Sequence, residues 1–172
     1  MKKKLLIIGA GTHGKVVEEV ALSMKDINDN NIYEKVDFLD DFAEGAVGKI
    51  SSLNTLGSNY DAVFVAIGDN KKRSELCMLA ESLGYELPIL VHPSAYVSES
   101  VIVEKGVIIE PRVSINSNTV IKKGTIVSIG AIIDHNVVLD EFCHVNTGAI
   151  CCAGSTVDQY IKTAAGGIVE GF

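Results

Sequence analysis

From Ala95 to Phe172 the chain reads AYVSES, VIVEKG, VIIEPR, VSINSN, TVIKKG, TIVSIG, AIIDHN, VVLDEF, CHVNTG, AICCAG, STVDQY, IKTAAG, GIVEGF, thirteen hexapeptides without an insertion. The third position is Val, Ile or Leu in eleven of them, with Cys151 and Thr163 as the exceptions. The first position is small or β-branched throughout, as in Ala95, Val101, Val107, Val113 and Thr119. Six units end in Gly and two in Asn, residues that accept the backbone of a tight corner. A strict six-residue period sustained to the last residue marks a β-solenoid. Each hexapeptide supplies one flat side and a corner, so three make a coil. Positions one and three lie two apart on a strand and point inward, stacking in columns of Val and Ile. Thirteen sides give slightly more than four coils, roughly 20 Å tall at a strand spacing of about 4.8 Å. The period leaves the hand of the coil open.

Upstream the rhythm is different. Lys4–Ile8 reads as a buried strand, followed by the loop from Gly9 to Gly14 and a helix to about Met24 with Val17, Val20, Ala21 and Met24 at helical spacing. Val36–Leu39 and Ala62–Ile67 read as further strands, and Lys71–Leu83 as a helix stopped by Gly84. Strands alternating with helices imply a small parallel sheet, a Rossmann-like α/β domain. The expected division is therefore residues 1–90 for the α/β domain and 91–172 for the solenoid.

The 172 residues carry 15 basic and 22 acidic side chains, a formal charge of −7 that disfavours nucleic acid or an anionic membrane as the main partner. Four cysteines, Cys77, Cys143, Cys151 and Cys152, form no CxxC pair, which points to reduced thiols and a cytoplasmic setting. The longest apolar runs are far too short to span a membrane.

Several motifs together resemble one family: the opening LLIIGAGTHGKVV, then FLDD, AIGDNKKR, VHPSAYV and the coil AIIDHNVVLDEFCHVNTGAI. They are similar to the sugar O- and N-acetyltransferases that include sialic acid O-acetyltransferase and the bacillosamine- and perosamine-type N-acetyltransferases. That resemblance implies a left-handed parallel β-helix, a nucleotide-linked sugar bound by the N-terminal domain, a homotrimer, and acetyl-CoA lying between adjacent helices. Relatives generally continue into further coils and a closing element, so the run of repeats into Phe172 implies an open last coil.

Gly9, Gly11 and Gly14 form GxGxxG between a strand and a helix, a pattern that lets backbone approach a pyrophosphate at a helix N-terminus. A sugar nucleotide, a dinucleotide and a purely structural turn all fit the loop, although about 90 residues are too few for two mononucleotide-binding halves. In the sugar-nucleotide reading Gly11, His13, Gly14 and Lys15 face the phosphates or sugar. Asp40 and Asp41 end the second strand and suit the base or ribose, or cap the next turn. Gly68 and Asn70 end the third strand at the same edge, Asn70 also serving as a possible N-cap. Lys71, Lys72 and Arg73 read as a solvated basic face from which one residue contacts phosphate.

Three of the four histidines remain to place. His92 precedes Pro93 and reads as structural. His135, fifth in AIIDHN, faces outward beside a corner, and the resemblance makes it the catalytic base. Imidazole, neutral near pH 7, suits removal of a proton from an amine or hydroxyl attacking a thioester. One coil on lie Ala153 and Gly154, whose main chain is the expected oxyanion donor. The family usually places Glu or Asp directly after this histidine. Here Asn136 follows and Asp134 precedes, so Asn136 is expected to orient the ring through its side-chain oxygen, with Asp134 as a substitute charge. His144 falls half a coil from His135. The resemblance assigns it to acetyl-CoA from a neighbouring chain, a hydrogen-bonded structural histidine being the alternative. Two histidines in the coils are too few for a three-histidine zinc site, so no metal is expected.

These residues point to an acetyl-CoA-dependent acetyltransferase acting on the amino group of a nucleotide-activated sugar. O-acetylation of sialic acid or a related sugar is the alternative within the class. A non-catalytic trimeric sugar-nucleotide-binding or scaffold protein is the alternative outside it.

Overall fold

The computed structural model describes residues 3–55 and 59–172. The chain divides into two compact units, the first reaching Pro88 and the second running from Ile89 to Phe172.

The first unit is a three-stranded sheet of β1 (Lys3–Ile8), β2 (Tyr33–Leu39) and β3 (Ala62–Val65), ordered β2-β1-β3 and parallel throughout. Leu5 to Ile8 are fully buried, as the continuous apolar run requires of a central parallel strand. Helix α1 (Thr12–Ser23) follows β1 and buries Val17, Val20 and Ala21, while α2 (Asn70–Ser82) follows β3. A short 3₁₀ helix at Ile50–Thr55, unsignalled by periodicity, buries Leu53. Because β1 lies between β2 and β3, the chain leaves β1 on one side and returns on the other. The crevice of such a sheet opens beyond the carboxyl ends of its strands, where Gly9–Gly14, Asp40–Asp41 and Gly68–Asn70 fall.

The second unit is a three-sided solenoid of two-residue strands. Face 1 stacks β4 (Leu90–Val91), β7 (Ile108–Ile109), β10 (Ile126–Val127) and β13 (His144–Val145). Face 2 stacks β5 (Tyr96–Val97), β8 (Ser114–Ile115), β11 (Ile132–Ile133), β14 (Ile150–Cys151) and β16 (Ile168–Val169). Face 3 stacks β6 (Ile102–Val103), β9 (Val120–Ile121), β12 (Val138–Leu139) and β15 (Thr156–Val157). Register is uniform: Ile132 pairs with Ser114 below and Ile150 above, a step of one coil. The first and third positions of the units form the core, including Val107, Ile109, Val113, Ile115, Val137, Leu139 and Cys151. Two inward threonines are satisfied by main chain; Thr119 Oγ1 donates to the Asp134 carbonyl at 2.9 Å and Thr125 Oγ1 to that of Asp140 at 3.0 Å.

Two features differ from the repeat reading. The solenoid begins one hexapeptide earlier, with Ile89–Ser94, because β4 pairs with β7; Pro88 and Pro93 obscured that first side. Pro93 stands at the fifth position of its unit, as does Pro111, so this corner site tolerates proline. Conversely IKTAAG forms only the bridge from His144 to Lys162, its apolar slot being taken by Thr163, whose Oγ1 accepts the Asn146 N–H at 2.9 Å.

Every unit from VIVEKG to IKTAAG ends on a residue with positive φ, and this includes Arg112 (59°), Phe142 (55°) and Tyr160 (63°) as well as the glycines and asparagines. That conformation costs a non-glycine residue of order 1–3 kcal/mol. Burial offsets it for Phe142, which is 3% exposed and lies over Gly124, where an added Cβ would come within 2.3 Å of its ring. Among the described residues no helix is long and apolar enough to cross a membrane, and no group of three or more His, Cys, Asp or Glu side chains gathers as a metal cage.

Candidate active site

His135 sits at the corner where the chain passes from β11 on face 2 to β12 on face 3. Its neighbours fix that corner. Asp134 Oδ1 accepts the His135 N–H at 2.7 Å and the Asn116 Nδ2 of the coil below at 3.3 Å. The backbone donor chiefly, with Asn116 and the imidazole adding to it, holds the Asp134 carboxyl below the usual aspartate range. Asp134 therefore braces the main chain of the corner. Asn136, in the left-handed conformation at φ 60°, places its Nδ2 2.9 Å from His135 Nδ1. The side-chain nitrogen, rather than the expected oxygen, faces the ring. An amide nitrogen only donates, so Nδ1 accepts and the ring proton rests on Nε2.

One rung above lie Cys152, Ala153 and Gly154. The Gly154 N–H donates to the His135 carbonyl at 3.0 Å, as part of the ladder between coils. Gly154 is thus no oxyanion donor, contrary to expectation. Ala153 is different. At the two rungs directly beneath, the fourth residue bonds the N–H of the fifth, Asn116 Oδ1 to Ser117 at 2.8 Å and Asp134 Oδ1 to His135 at 2.7 Å. Cys152 offers no such oxygen, and the Ala153 N–H has no acceptor among the described residues. The corner therefore presents a half-buried imidazole beneath an unbonded main-chain donor. Beside it on face 2 runs a groove of about 340 Å³ lined by Tyr96, Ser114, Ile132, Asp134, Ile150 and Cys152.

His144 stands on β13 of face 1, half a coil on from the His135 corner and across the prism from it. It points outward yet is 7% exposed, in a column with Ile108 and Ile126 at 0% and 1%. Its Nε2 lies 2.9 Å from Ser128 Oγ. Within a single chain the two histidines do not converge. His92 is a turn residue, its Nδ1 accepting from Ser94 N at 3.1 Å and meeting Ser94 Oγ at 2.8 Å.

In the first unit the loop after β1 is tight. Gly9 has φ 102°, and a Cβ on Gly14 would fall 2.1 Å from the Gly9 carbonyl oxygen, so helix and turn touch only because Gly14 has no side chain. Gly11 is the N-cap of α1, without a capping side chain, and a Cβ there would meet nothing within 4 Å. His13 is half-buried. Lys15 is exposed, pairs with Glu18 at 3.0 Å and lies 4.3 Å from the Phe38 ring centroid.

Asp40 is a clamp. Oδ2 accepts from Ala10 N, and Oδ1 from Phe42 N and Ala43 N, each at 2.9 Å. These three backbone donors hold its carboxyl below the ordinary range. Asp41 Oδ1 accepts from Ile50 N at 3.0 Å. At the third strand the N-cap is Asp69, which accepts from Lys72 N at 2.7 Å, and not Asn70. Arg73 is also no part of a solvated face. It is 1% exposed, donating Nη1 to the Ile67 carbonyl at 3.0 Å and Nη2 to Asn70 Oδ1 at 2.7 Å. Its one-turn spacing from Asn70 was the signal that a run of three basic residues concealed. Gly68 remains exposed at the crevice.

The PglD N-terminal domain family matches residues 4–79. The acetyltransferase domain of PglB from Neisseria gonorrhoeae, solved with acetyl coenzyme A, is 32% identical over 98% of this chain and 82% of its own, with a TM-score of 0.89. PerB from Caulobacter crescentus, solved with CoA and GDP-perosamine, is 30% identical over 98% of this chain and 89% of its own, with a TM-score of 0.81. A variant of GDP-perosamine N-acetyltransferase from the same organism, also with CoA and GDP-perosamine, is 30% identical over 92% and 76%, with a TM-score of 0.82. The match to this fold makes the solenoid a left-handed β-helix, the hand its period left open. With an α/β unit and a β-helix that both align along nearly their whole length, the chain belongs to the sugar N-acetyltransferase family.

Proposed function

We propose that this protein transfers the acetyl group of acetyl-CoA to the amino group of a nucleotide-linked sugar. The carrying observation is the pairing of His135 with the unbonded N–H of Ala153 one rung above. The sugar amine attacks the thioester carbonyl while His135 Nε2 takes its proton. The Ala153 N–H stabilises the oxyanion of the tetrahedral intermediate. Collapse breaks the carbon–sulfur bond, and the CoA thiolate leaves with the proton returned from the imidazolium. The products are the N-acetylated sugar and free CoA. For Nε2 to accept, the ring proton must move to Nδ1 and the Asn136 amide must turn over, bringing Oδ1 opposite that proton. The turn exchanges two groups of nearly equal size. The co-crystallised ligands of PerB and of the PglB domain support acetyl-CoA and a sugar nucleotide as the two substrates.

The acceptor is proposed to bind by its nucleotide at the crevice of the first unit, at Gly11, His13 and Lys15, with Asp40, Asp41, Gly68 and Asn70 shaping the edge. The active form is proposed to be a homotrimer in the cytoplasm with acetyl-CoA between adjacent β-helices. The exposed apolar side chains of face 2, Tyr96, Ile132 and Ile168, support a self-association surface next to the catalytic corner, and four free thiols fit a reducing compartment. The covered position of His144 supports His135 as the group that takes the proton. Thiol release from acetyl-CoA with a panel of nucleotide-linked amino sugars tests the reaction. A binding protein would instead be stabilised by the sugar nucleotide without releasing thiol. Light scattering tests the trimer of 18.3 kDa subunits.

A further inference from the structure

Phe42 is 94% exposed, a phenyl ring standing almost wholly in water. An isolated surface aromatic needs no special account, but the backbone under this one is fixed at several points. Asp40 Oδ1 holds both Phe42 N and Ala43 N, and the segment is closed behind them by Asp40 N to the Gly48 carbonyl at 3.1 Å and Val47 N to the Phe38 carbonyl at 2.8 Å. Asp41 adds a third tie through Ile50 N. Phe42 is therefore presented by an ordered loop. The same Asp40 carboxylate reaches across with Oδ2 to Ala10 N in the glycine loop. One side chain thus sets the separation between the loop that would hold phosphate and the base of an exposed aromatic ring. Both lie at the carboxyl edge of the sheet, on adjacent strands β1 and β2.

The charges assign the ends of a ligand lying there. Asp40 and Asp41 repel phosphate from the β2 side, whereas the N-terminus of α1, with no acidic residue in its first turn, favours it on the β1 side. What remains for the β2 side is the uncharged end of a nucleotide, and a flat aromatic face suits a base. We infer that Phe42 is the stacking platform for the nucleobase of the acceptor. This rests on the nucleotide-sugar reading above and adds to it the residue that grips the base.

The chain contains no tryptophan, so Phe42→Trp supplies a single indole reporter. Its fluorescence should be quenched by GDP or UDP and unaffected by inorganic pyrophosphate or ribose 5-phosphate. Calorimetry on the full chain should show Phe42→Ala and Phe42→Leu weakening GDP and UDP by about tenfold or more, and Phe42→Tyr binding as wild type. Unchanged melting temperatures establish that each variant is folded. Wild-type affinity in Phe42→Ala, or an indole unmoved at calorimetric saturation, overturns the stacking role alone. Failure of the wild-type chain to bind GDP, UDP or any nucleotide-linked sugar overturns the nucleotide-sugar reading itself, and the inference with it.

Discussion

The His135 carbonyl accepts the N–H of Gly154 at 3.0 Å, which locks the His135 corner one rung beneath Ala153. The rung above thereby commits the Gly154 N–H to the ladder and leaves that of Ala153, just before it, free. Most consequences for activity follow from that asymmetry.

The free donor can be deleted without adding a charge. Proline already occupies the fifth corner position at Pro93 and Pro111, so Ala153→Pro should fold. Loss of one oxyanion donor should lower kcat by about 10²–10³, with the melting temperature nearly unchanged. Thiol-release kinetics beside a thermal melt would show this, and full activity in the proline variant would remove Ala153 from the mechanism.

The donor can also be occupied from within. Cys152→Asn puts at this rung the residue type that bonds the next N–H at Asn116. It should leave stability equal or slightly higher and lower kcat by an order of magnitude or more. Cys152→Ser, whose hydroxyl is shorter, should retain more activity. Equal kcat in wild type and Cys152→Asn would show that the Ala153 N–H does no catalysis.

Asn136→Asp would set a carboxylate oxygen permanently against Nδ1 and hold the tautomer in which Nε2 is free. Turnover should rise by about tenfold or more, since a carboxylate both orients and stabilises the imidazolium. Steady-state kinetics with saturating acetyl-CoA measures it; unchanged turnover would mean that the amide already serves as well.

The last two glycines of the first loop should separate stability from binding. Gly14→Ala drives a methyl to within 2.1 Å of the Gly9 carbonyl and should cost about 1–3 kcal/mol, several degrees of melting temperature. Gly11→Ala meets nothing within 4 Å and should melt like wild type while weakening sugar-nucleotide binding. Calorimetry and thermal melts read the two effects independently.

Acid should act through Asp40. Three backbone donors keep its folded pKa below the ordinary 3.8, so the unfolded chain binds the proton more readily. The stability this contributes is complete above that value and lost as pH falls through the folded pKa. The melting-temperature advantage of wild type over Asp40→Asn should be largest near neutrality and shrink below about pH 3.8. A gap independent of pH would show that the hydrogen bonds do not depend on the charge.

The hexapeptide rhythm made the solenoid legible because inward positions repeat whatever the side chain does at the corner. The same rhythm hid the first side, Ile89–Ser94, which Pro88 precedes and whose corner holds Pro93. It also did not announce that Arg112, Phe142 and Tyr160 adopt the left-handed corner. Those conformations are imposed by the ladder above and below, a property of neighbouring coils. In the α/β unit, the parallel strands and the turn-capping role of Asp40 followed from pattern, whereas the reach of Asp40 to Ala10 and the roles of Asp69 and Arg73 did not. Each is decided by which backbone donor or acceptor the fold brings within 3 Å, and no spacing in the sequence encodes that. The free Ala153 N–H belongs to the same class, since it is visible only as a hydrogen bond that Cys152 does not make.

The most direct measurement is kcat of wild type and His135→Ala with the same nucleotide-linked amino sugar, following CoA release and N-acetylated product together. A loss of about 10²–10⁴-fold, with the sugar nucleotide bound as tightly as before, is the result expected of a catalytic base at this corner. Equal turnover in the two proteins would contradict it.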